Sequence, residues 1–440
     1  MPVTQIGSKP GNVLSGTIRV PGDKSISHRA LMIGAAAVGQ TRISGLLEAD
    51  DVLRTAEAVR ALGARIQQQN GNWLIEGVGP GGFVPPDGEI DLGNSGTAAR
   101  LLLGLLATQE ISVSITGDES LRSRPMGRVI DPLSLMGANF EAEEDDRMPL
   151  RLRGTGEPIP VEYLVPVPSA QVKSAVLLAA LNTPGRTTVR EREATRDHTE
   201  NMLKSFGAAI SVEDSGAGGR KISVDGFAEL TAVNVDVPGD PSSAAFPGVA
   251  ALLIPGSEIT VENVGLNPLR AGLFDTLIDM GANIEIMNRR DSAGEAVGDI
   301  VFRFGALQGA DIPANRAPSM IDEYPIAAIA AAFADGETRF RGLAELRVKE
   351  SDRFAAIIDG LAACGVDVRA DGDDIVICGN GTPPPGGAKI VVNLDHRIAM
   401  AFLVMGLAAE APVTIDDAAA IETSFPCFIE LMIGLGGKIV

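Results

Sequence analysis

The sequence predicts an α/β protein built from six copies of one unit, three in each of two lobes. Three observations lead there. A helix-plus-strand segment recurs six times along the 440 residues. A glycine closes a second helix in each copy at a nearly constant spacing, and the tetrapeptide VPGD occurs twice, near the N-terminus and past the middle.

The copies begin VPGDKSISHRALMIGAAAVGQTRI, DLGNSGTAARLLLGLLATQEISVSI, VPSAQVKSAVLLAALNTPGRTTV, VPGDPSSAAFPGVAALLIPGSEITV, APSMIDEYPIAAIAAAFADGETRF and LDHRIAMAFLVMGLAAEAPVTI. Each opens with a turn or polar cluster, runs into a helix rich in Ala, Leu and Ile, and ends in a strand. A helix apolar on nearly every face is expected to lie buried between layers. The second helix of each copy stops at Gly63, Gly137, Gly207, Gly281, Gly365 or Gly436, with spacings of 74, 70, 74, 84 and 71 residues. A glycine just past an apolar-periodic helix is the expected left-handed stop, and the β-branched or alternating residues after it predict a strand. The copies are longer than common solenoid repeats, and neither end copy is visibly a polar cap.

The VPGD turns, Val20–Asp23 and Val237–Asp240, divide the six copies into two sets of three. The strand NVLSGTIRV precedes the first turn and is expected to complete the C-terminal lobe. One lobe is then discontinuous, residues 1–21 and 240–440, and the other spans 22–239, with a double hinge near 20–23 and 237–241. A cleft at such a hinge is a usual place for a small-molecule site.

Lys and Arg number 37 against 57 Asp and Glu, a formal net charge of -20. Phosphate polyanions are repelled by such a surface, so nucleic acid and anionic membranes are not expected as partners. A small anionic substrate is compatible, because a few convergent cations dominate the field inside a cleft. The three cysteines, Cys364, Cys378 and Cys427, form no CxxC pair and read as reduced thiols of a cytoplasmic protein. The opening MPVTQIGSKPGNVLSG has no apolar stretch flanked by basic residues, so no secretory signal is expected. The longest apolar runs fall short of the roughly 20 residues a bilayer span needs.

Polar and charged residues collect at the helix starts. In PGDKSISHRA, Lys24, Ser25 and Arg29 follow a Pro-Gly turn, where unpaired N–H groups and the helix dipole favour an anion. GNSGTAAR places Asn94, Ser95, Gly96, Thr97 and Arg100 at a second start, and its small residues allow close backbone approach. SLRSRPMGR adds Arg122, Arg124 and Arg128, suited to bidentate grip of carboxylate or phosphate. Ser169 and Gln171 in PSAQVKSA, and Thr195, Arg196 and His198 in TRDHTE, are explained equally well by helix capping. SMIDEYP puts Asp322 and Glu323 at the start of an Ala-rich helix. RVKESDR brings Lys349, Glu350 and Arg353 together if it is helical, and a carboxylate among cations is a candidate acid/base group. LDHRIA adds Asp395, His396 and Arg397. GVGPGG fits GxGxxG, but FVPPDG follows it instead of a helix, so it reads as a loop. The histidines are far apart and the cysteines lack ligand spacing, so no zinc site is expected.

Together PGDKSISHRA, GNSGTAAR, RPMGR, SAQVKSA, IDEYP, RVKESDR and DHRIAM resemble the EPSP synthase family from about residue 12 onward. RPMGRVIDPL, APSMIDEYP and ETSFP resemble its bacterial class II form. The resemblance implies the two-lobed enolpyruvyl transferase fold, with three βαβαββ units per lobe closing over the substrates. It implies transfer of the enolpyruvyl group of phosphoenolpyruvate to the 5-hydroxyl of shikimate 3-phosphate, by addition and elimination, without metal or organic cofactor. It further implies a cytoplasmic monomer inhibited by glyphosate.

Carried over by motif, Ser25, Arg29, Ser169, Gln171 and Arg196 hold shikimate 3-phosphate, and Lys24 lies between the substrates. Arg124, Arg353 and Arg397 clamp phosphoenolpyruvate, with Gly96 against it and Gln171 and Lys349 reaching both substrates. Asp322 accepts the hydroxyl proton and Glu350 donates one to the methylene carbon. Thr423 departs from the family, many of whose members have lysine there, which takes one cation from the phosphoenolpyruvate end. UDP-N-acetylglucosamine enolpyruvyl transferases share fold and donor, but typically carry a loop cysteine that GDESLRSRPMGR lacks, and KSISHR is absent from them. A protein that only binds anions would give no reason for Asp322 and Glu350 to sit among cations.

Overall fold

The computed structural model describes residues 5–216, 218–227, 229–292 and 294–440. The chain divides into two compact units. One comprises the segment up to Pro21, Pro238–Asp291 and Ala296–Val440; the other comprises Gly22–Val237 and Ser292–Glu295. Each has its own hydrophobic core.

Among the described residues the strands form six four-stranded sheets. One pattern repeats: a first strand pairs in parallel with a second, and the second pairs antiparallel with the far arm of a hairpin. In the second copy these are Ile90–Asp91, Ser112–Thr116, Arg147–Arg153 and Asn139–Glu143. Three copies borrow a strand. The first takes Asn234–Asp236 and the fourth takes Ser15–Ile18, each as its parallel first strand. The sixth lacks a hairpin arm, and Ile6–Lys9 fills that place between Val413–Ile415 and Lys438–Ile439.

The central helices are packed on all sides. Every residue of Pro241–Leu253 and of Tyr324–Phe333 is buried, and each such Leu, Ile or Val contributes about 1.5–3 kcal/mol. All six closing glycines have positive φ, from 79° to 112°. Each ends its helix in a double backbone lock. In the first copy Gly63 N–H donates to Arg60 O at 3.1 Å and Ala64 N–H to Val59 O at 3.1 Å.

The helix starts show where the repeat breaks. Asp23, Ser95, Ser169, Asp240 and Asp395 each accept a bond from an amide of the first turn. The fifth copy differs: a short helix Ala317–Met320 precedes Tyr324–Phe333, and the latter has no side-chain cap. The carboxylates of Asp322 and Glu323 are turned to other partners. RVKESDR does not meet the helical condition, because it is not one helix. A 3-10 turn covers Ala344–Val348, and the next helix starts at Arg353, where Asp352 accepts from Ala355 N–H at 3.0 Å. No helix among the described residues is long and apolar enough to cross a membrane.

Candidate active site

In the unit Gly22–Val237, three helix starts are tied to one another by side chains. Lys24 opens the helix Lys24–Ala36 and pairs with the buried carboxylate of Asp51. Arg29, one turn on, is buried. It donates to the Ser25 carbonyl at 2.9 Å, to Ser174 Oγ at 2.8 Å and to Thr199 Oγ1 at 2.7 Å. Its pKa is pushed down to about 10, chiefly by burial; the Glu200 and Asp23 carboxylates oppose the shift and Arg196 adds to it.

Gly96 begins the helix Gly96–Ala107. Arg100, on that helix, donates to the Gly96 carbonyl at 3.2 Å and to Gln171 Oε1 at 3.1 Å, while Gln171 Nε2 donates to Thr97 Oγ1 at 3.0 Å. Arg124 donates to Asn94 Oδ1 and to Ser120 Oγ. A Cβ on Gly96 would lie 2.8 Å from Arg100 Nη1 and 3.1 Å from Arg124 Nη1, so the absence of a side chain there makes room for two guanidinium groups. Ser169 caps the helix Ala170–Ala180 at Val172 N–H, 3.4 Å.

In the other unit, Arg353 is the centre. Its side chain has no exposure. It meets Asp395 at 2.8 Å, Asp322 at 3.2 Å and Glu350 at 2.7 Å. Burial alone would lower its pKa, but Asp395, then Glu350 and Asp322, outweigh that and raise it. For Asp395, burial pushes its pKa up, the charge and hydrogen bond of Arg353 together with His396 pull it down, and the net shift is down. Lys349 Nζ stands 3.8 Å from Asp322. Arg397 reaches Glu323 at 3.5 Å, and the same carboxylate holds buried Arg270 at 2.9 Å, which also pairs with Asp240 at 3.0 Å.

The residues read from the sequence therefore fall into two groups. Lys24, Ser25, Arg29, Gly96, Arg124, Ser169, Gln171 and Arg196 lie in the first unit, and Asp322, Lys349, Glu350, Arg353 and Arg397 lie in the second. Lys349 and Arg353 meet Asp322, and Glu350 meets Arg353, although the segment is not one helix. The reading missed the residues that hold these side chains: Asp51, Lys173, Glu191, Glu200, Asp240 and Arg270. Lys173 had a signal, being a lone cation in the apolar helix AQVKSAVLLAA, which cannot be buried without carboxylate partners. A cleft of about 610 Å³ beside the helix His198–Ser205 is lined by Asp197, Lys204, Asp214 and Arg220, among others, and by none of these thirteen residues.

Comparison with known proteins gives the same answer along the whole chain. Residues 8–432 match the model of the EPSP synthase (3-phosphoshikimate 1-carboxyvinyltransferase) family. The 3-phosphoshikimate 1-carboxyvinyltransferase of Paramagnetospirillum magneticum is 60% identical over 435 residues, covering 99% of this chain and 98% of that protein. That of Rhodospirillum rubrum is 60% identical, covering 97% and 96%. The solved structure of the Acinetobacter baumannii EPSP synthase superposes with a TM-score of 0.88 at 42% identity and 99% coverage of both chains. The enolpyruvyl transferase NikO of Streptomyces tendae, at 18% identity and a TM-score of 0.78, shares the fold, with 99% and 98% covered. The chain belongs to the EPSP synthase family.

Proposed function

We propose that the helix-start residues described above carry out the family's reaction in this chain. As a family member it transfers the enolpyruvyl group of phosphoenolpyruvate to the 5-hydroxyl of shikimate 3-phosphate and releases phosphate. The observation that supports these residue roles most directly is the pair of carboxylates, Asp322 and Glu350, held on one buried guanidinium at 3.2 and 2.7 Å. A donor and an acceptor of protons fixed among cations suit a reaction that adds and then removes a proton.

In the proposed mechanism, Glu350 gives a proton to the methylene carbon of phosphoenolpyruvate. The adjacent carbon becomes electron-poor, the 5-hydroxyl oxygen bonds to it, and Asp322 takes the hydroxyl proton. In the second stage the new methyl group returns a proton to the Glu350 carboxylate, the double bond re-forms, and the carbon–oxygen bond to phosphate breaks, its electron pair leaving with the phosphate. Ser25, Arg29, Ser169, Gln171 and Arg196 bind shikimate 3-phosphate. Arg124, Arg353 and Arg397 bind phosphoenolpyruvate against Gly96, and Lys24 and Lys349 serve both substrates. Preplaced cations stabilise the charge that develops on the leaving phosphate.

The proposal further takes the enzyme to act as a cytoplasmic monomer without cofactor and to be inhibited by glyphosate. The deciding experiment is phosphate release from phosphoenolpyruvate, with and without shikimate 3-phosphate, in metal-free buffer. Release that depends on shikimate 3-phosphate is expected. Release that depends instead on UDP-N-acetylglucosamine would overturn the acceptor.

A further inference from the structure

Arg196 sits on an irregular segment, Arg192–Asp197, between the strand Arg186–Glu191 and the helix His198–Ser205. A loop arginine needs a fixed backbone to present its guanidinium to an anion in one place. The residues on either side of Arg196 are both anchored. Asp197 pairs with Arg220 at 3.1 Å, and its carbonyl accepts from Asn201 N–H at 3.0 Å. Thr195 is buried, and it is held by a charged cluster that no step of the proposed mechanism uses.

The centre of that cluster is Lys173, whose side chain has no exposure. Its ammonium group meets Glu200 at 2.8 Å and Glu191 at 3.0 Å, and donates to the Thr195 carbonyl at 3.1 Å. Three partners match its three donors. Glu191 in turn accepts from the Thr195 hydroxyl. Thr195 is thus gripped through main chain and side chain at once. The next residue of the same helix, Ser174, accepts from Arg29 Nη2 at 2.8 Å and lies 2.6 Å from Thr199 Oγ1, which accepts from Arg29 Nε. One face of the helix Ala170–Ala180 therefore braces both Arg29 and the segment that carries Arg196. Burying one lysine and two glutamates is costly, and a cluster of leucines would fill the space at lower cost, so the arrangement calls for a reason beyond stability.

We propose that Lys173, Glu191 and Thr195 form a positioning network that fixes Arg196 for shikimate 3-phosphate. The inference rests on the substrate reading above and deepens it. The network touches no substrate. It acts by holding the main chain next to Arg196 in one place, through the Thr195 carbonyl and hydroxyl. Loosening Thr195 frees the segment that carries Arg196, and the cost falls on shikimate 3-phosphate alone.

Lys173→Met would leave two buried glutamates without a counter-charge and endanger the fold, so the test uses Thr195. Thr195→Val keeps the shape and removes the hydroxyl that Glu191 accepts from; Thr195→Ser keeps the hydroxyl. With the full-length enzyme, we expect Thr195→Val to weaken shikimate 3-phosphate binding, by titration calorimetry, about tenfold, the loss of one charge-assisted hydrogen bond. We expect KM for phosphoenolpyruvate and kcat to stay within about threefold, and Thr195→Ser to restore shikimate 3-phosphate affinity. Wild-type affinity in Thr195→Val, or equal losses for both substrates, would overturn the inference while leaving the function standing. A wild-type enzyme that turns over without needing shikimate 3-phosphate would overturn both.

Discussion

Arg353 and Asp395 face each other with no solvent exposure on either side chain, Nε 2.8 Å from the carboxylate. The same carboxylate accepts from the Arg397 amide at 2.9 Å. Asp395 thus fixes the start of its own helix, which carries Arg397, and the start of Arg353–Ala363. Two proposed phosphoenolpyruvate ligands are set by one acid. Asp395→Asn keeps an oxygen for the cap and removes the charge. We expect it to cost about 3–5 kcal/mol in urea unfolding, the usual penalty for breaking a buried pair from one side. KM for phosphoenolpyruvate should rise at least about tenfold, with shikimate 3-phosphate affinity unchanged.

Glu350 is partly exposed and lies 2.7 Å from Arg353. Glu350→Gln preserves its volume and removes its proton. Turnover is expected to fall about 10²- to 10⁴-fold, the range for losing a general acid, with the Kd of shikimate 3-phosphate within about threefold. Equal losses in turnover and affinity would make Glu350 structural.

Gly96→Ala tests the space in front of Arg124. The new methyl would press on Arg100 Nη1 at 2.8 Å and Arg124 Nη1 at 3.1 Å. Both are ends of flexible side chains, so they move and the fold stays within about 0.5 kcal/mol of wild type. The methyl also narrows the space for a ligand longer than phosphoenolpyruvate. KM for phosphoenolpyruvate should rise several-fold, and the inhibition constant of glyphosate should rise much more. Unchanged inhibition would refute the steric argument.

His28 is buried with Nδ1 2.7 Å from Thr55 Oγ1. Burial, then Lys24 and Arg29, hold its pKa well below 6.5. Below 6.5 the unfolded chain therefore binds a proton that the folded chain refuses. This group's contribution to stability is complete above about pH 6.5 and declines as pH falls toward the folded value. His28→Asn can donate to Thr55 Oγ1, whose own proton goes to the Asp51 carbonyl, and does not titrate. Its melting temperature should fall less than wild type between pH 7 and 5; parallel curves would assign the slope to other groups.

Local signals showed most of the fold. The six closing glycines were visible because a left-handed stop needs a residue without Cβ, and each has the positive φ expected. GVGPGG is a loop, as its proline-rich sequel required. Strand exchange was harder to see: pairing of Asn234–Asp236 with Gln40–Ser44 is set by topology, and three residues carry little pattern. At the site, the residues expected to touch substrate stood out as polar groups at helix starts. Their supports did not, because Asp51, Glu191 and Arg270 look like ordinary surface charges until the fold buries them. For RVKESDR the spacing left open whether it is a helix; Asp352 caps the next helix and sets its start at Arg353.

The strand Ile6–Lys9 has partners at Val413–Ile415 and Lys438–Ile439. On the ribosome it is made some 400 residues before either neighbour. At about 5–20 residues per second, it waits roughly 20–80 s with both edges open. A hydrophobic strand left so long would invite pairing with other nascent chains. The segment is IGSK, with one large apolar residue, one glycine and a terminal lysine, a poor template for aggregation. The sheet that joins the chain's two ends is begun by a strand too polar to bind the wrong partner while it waits.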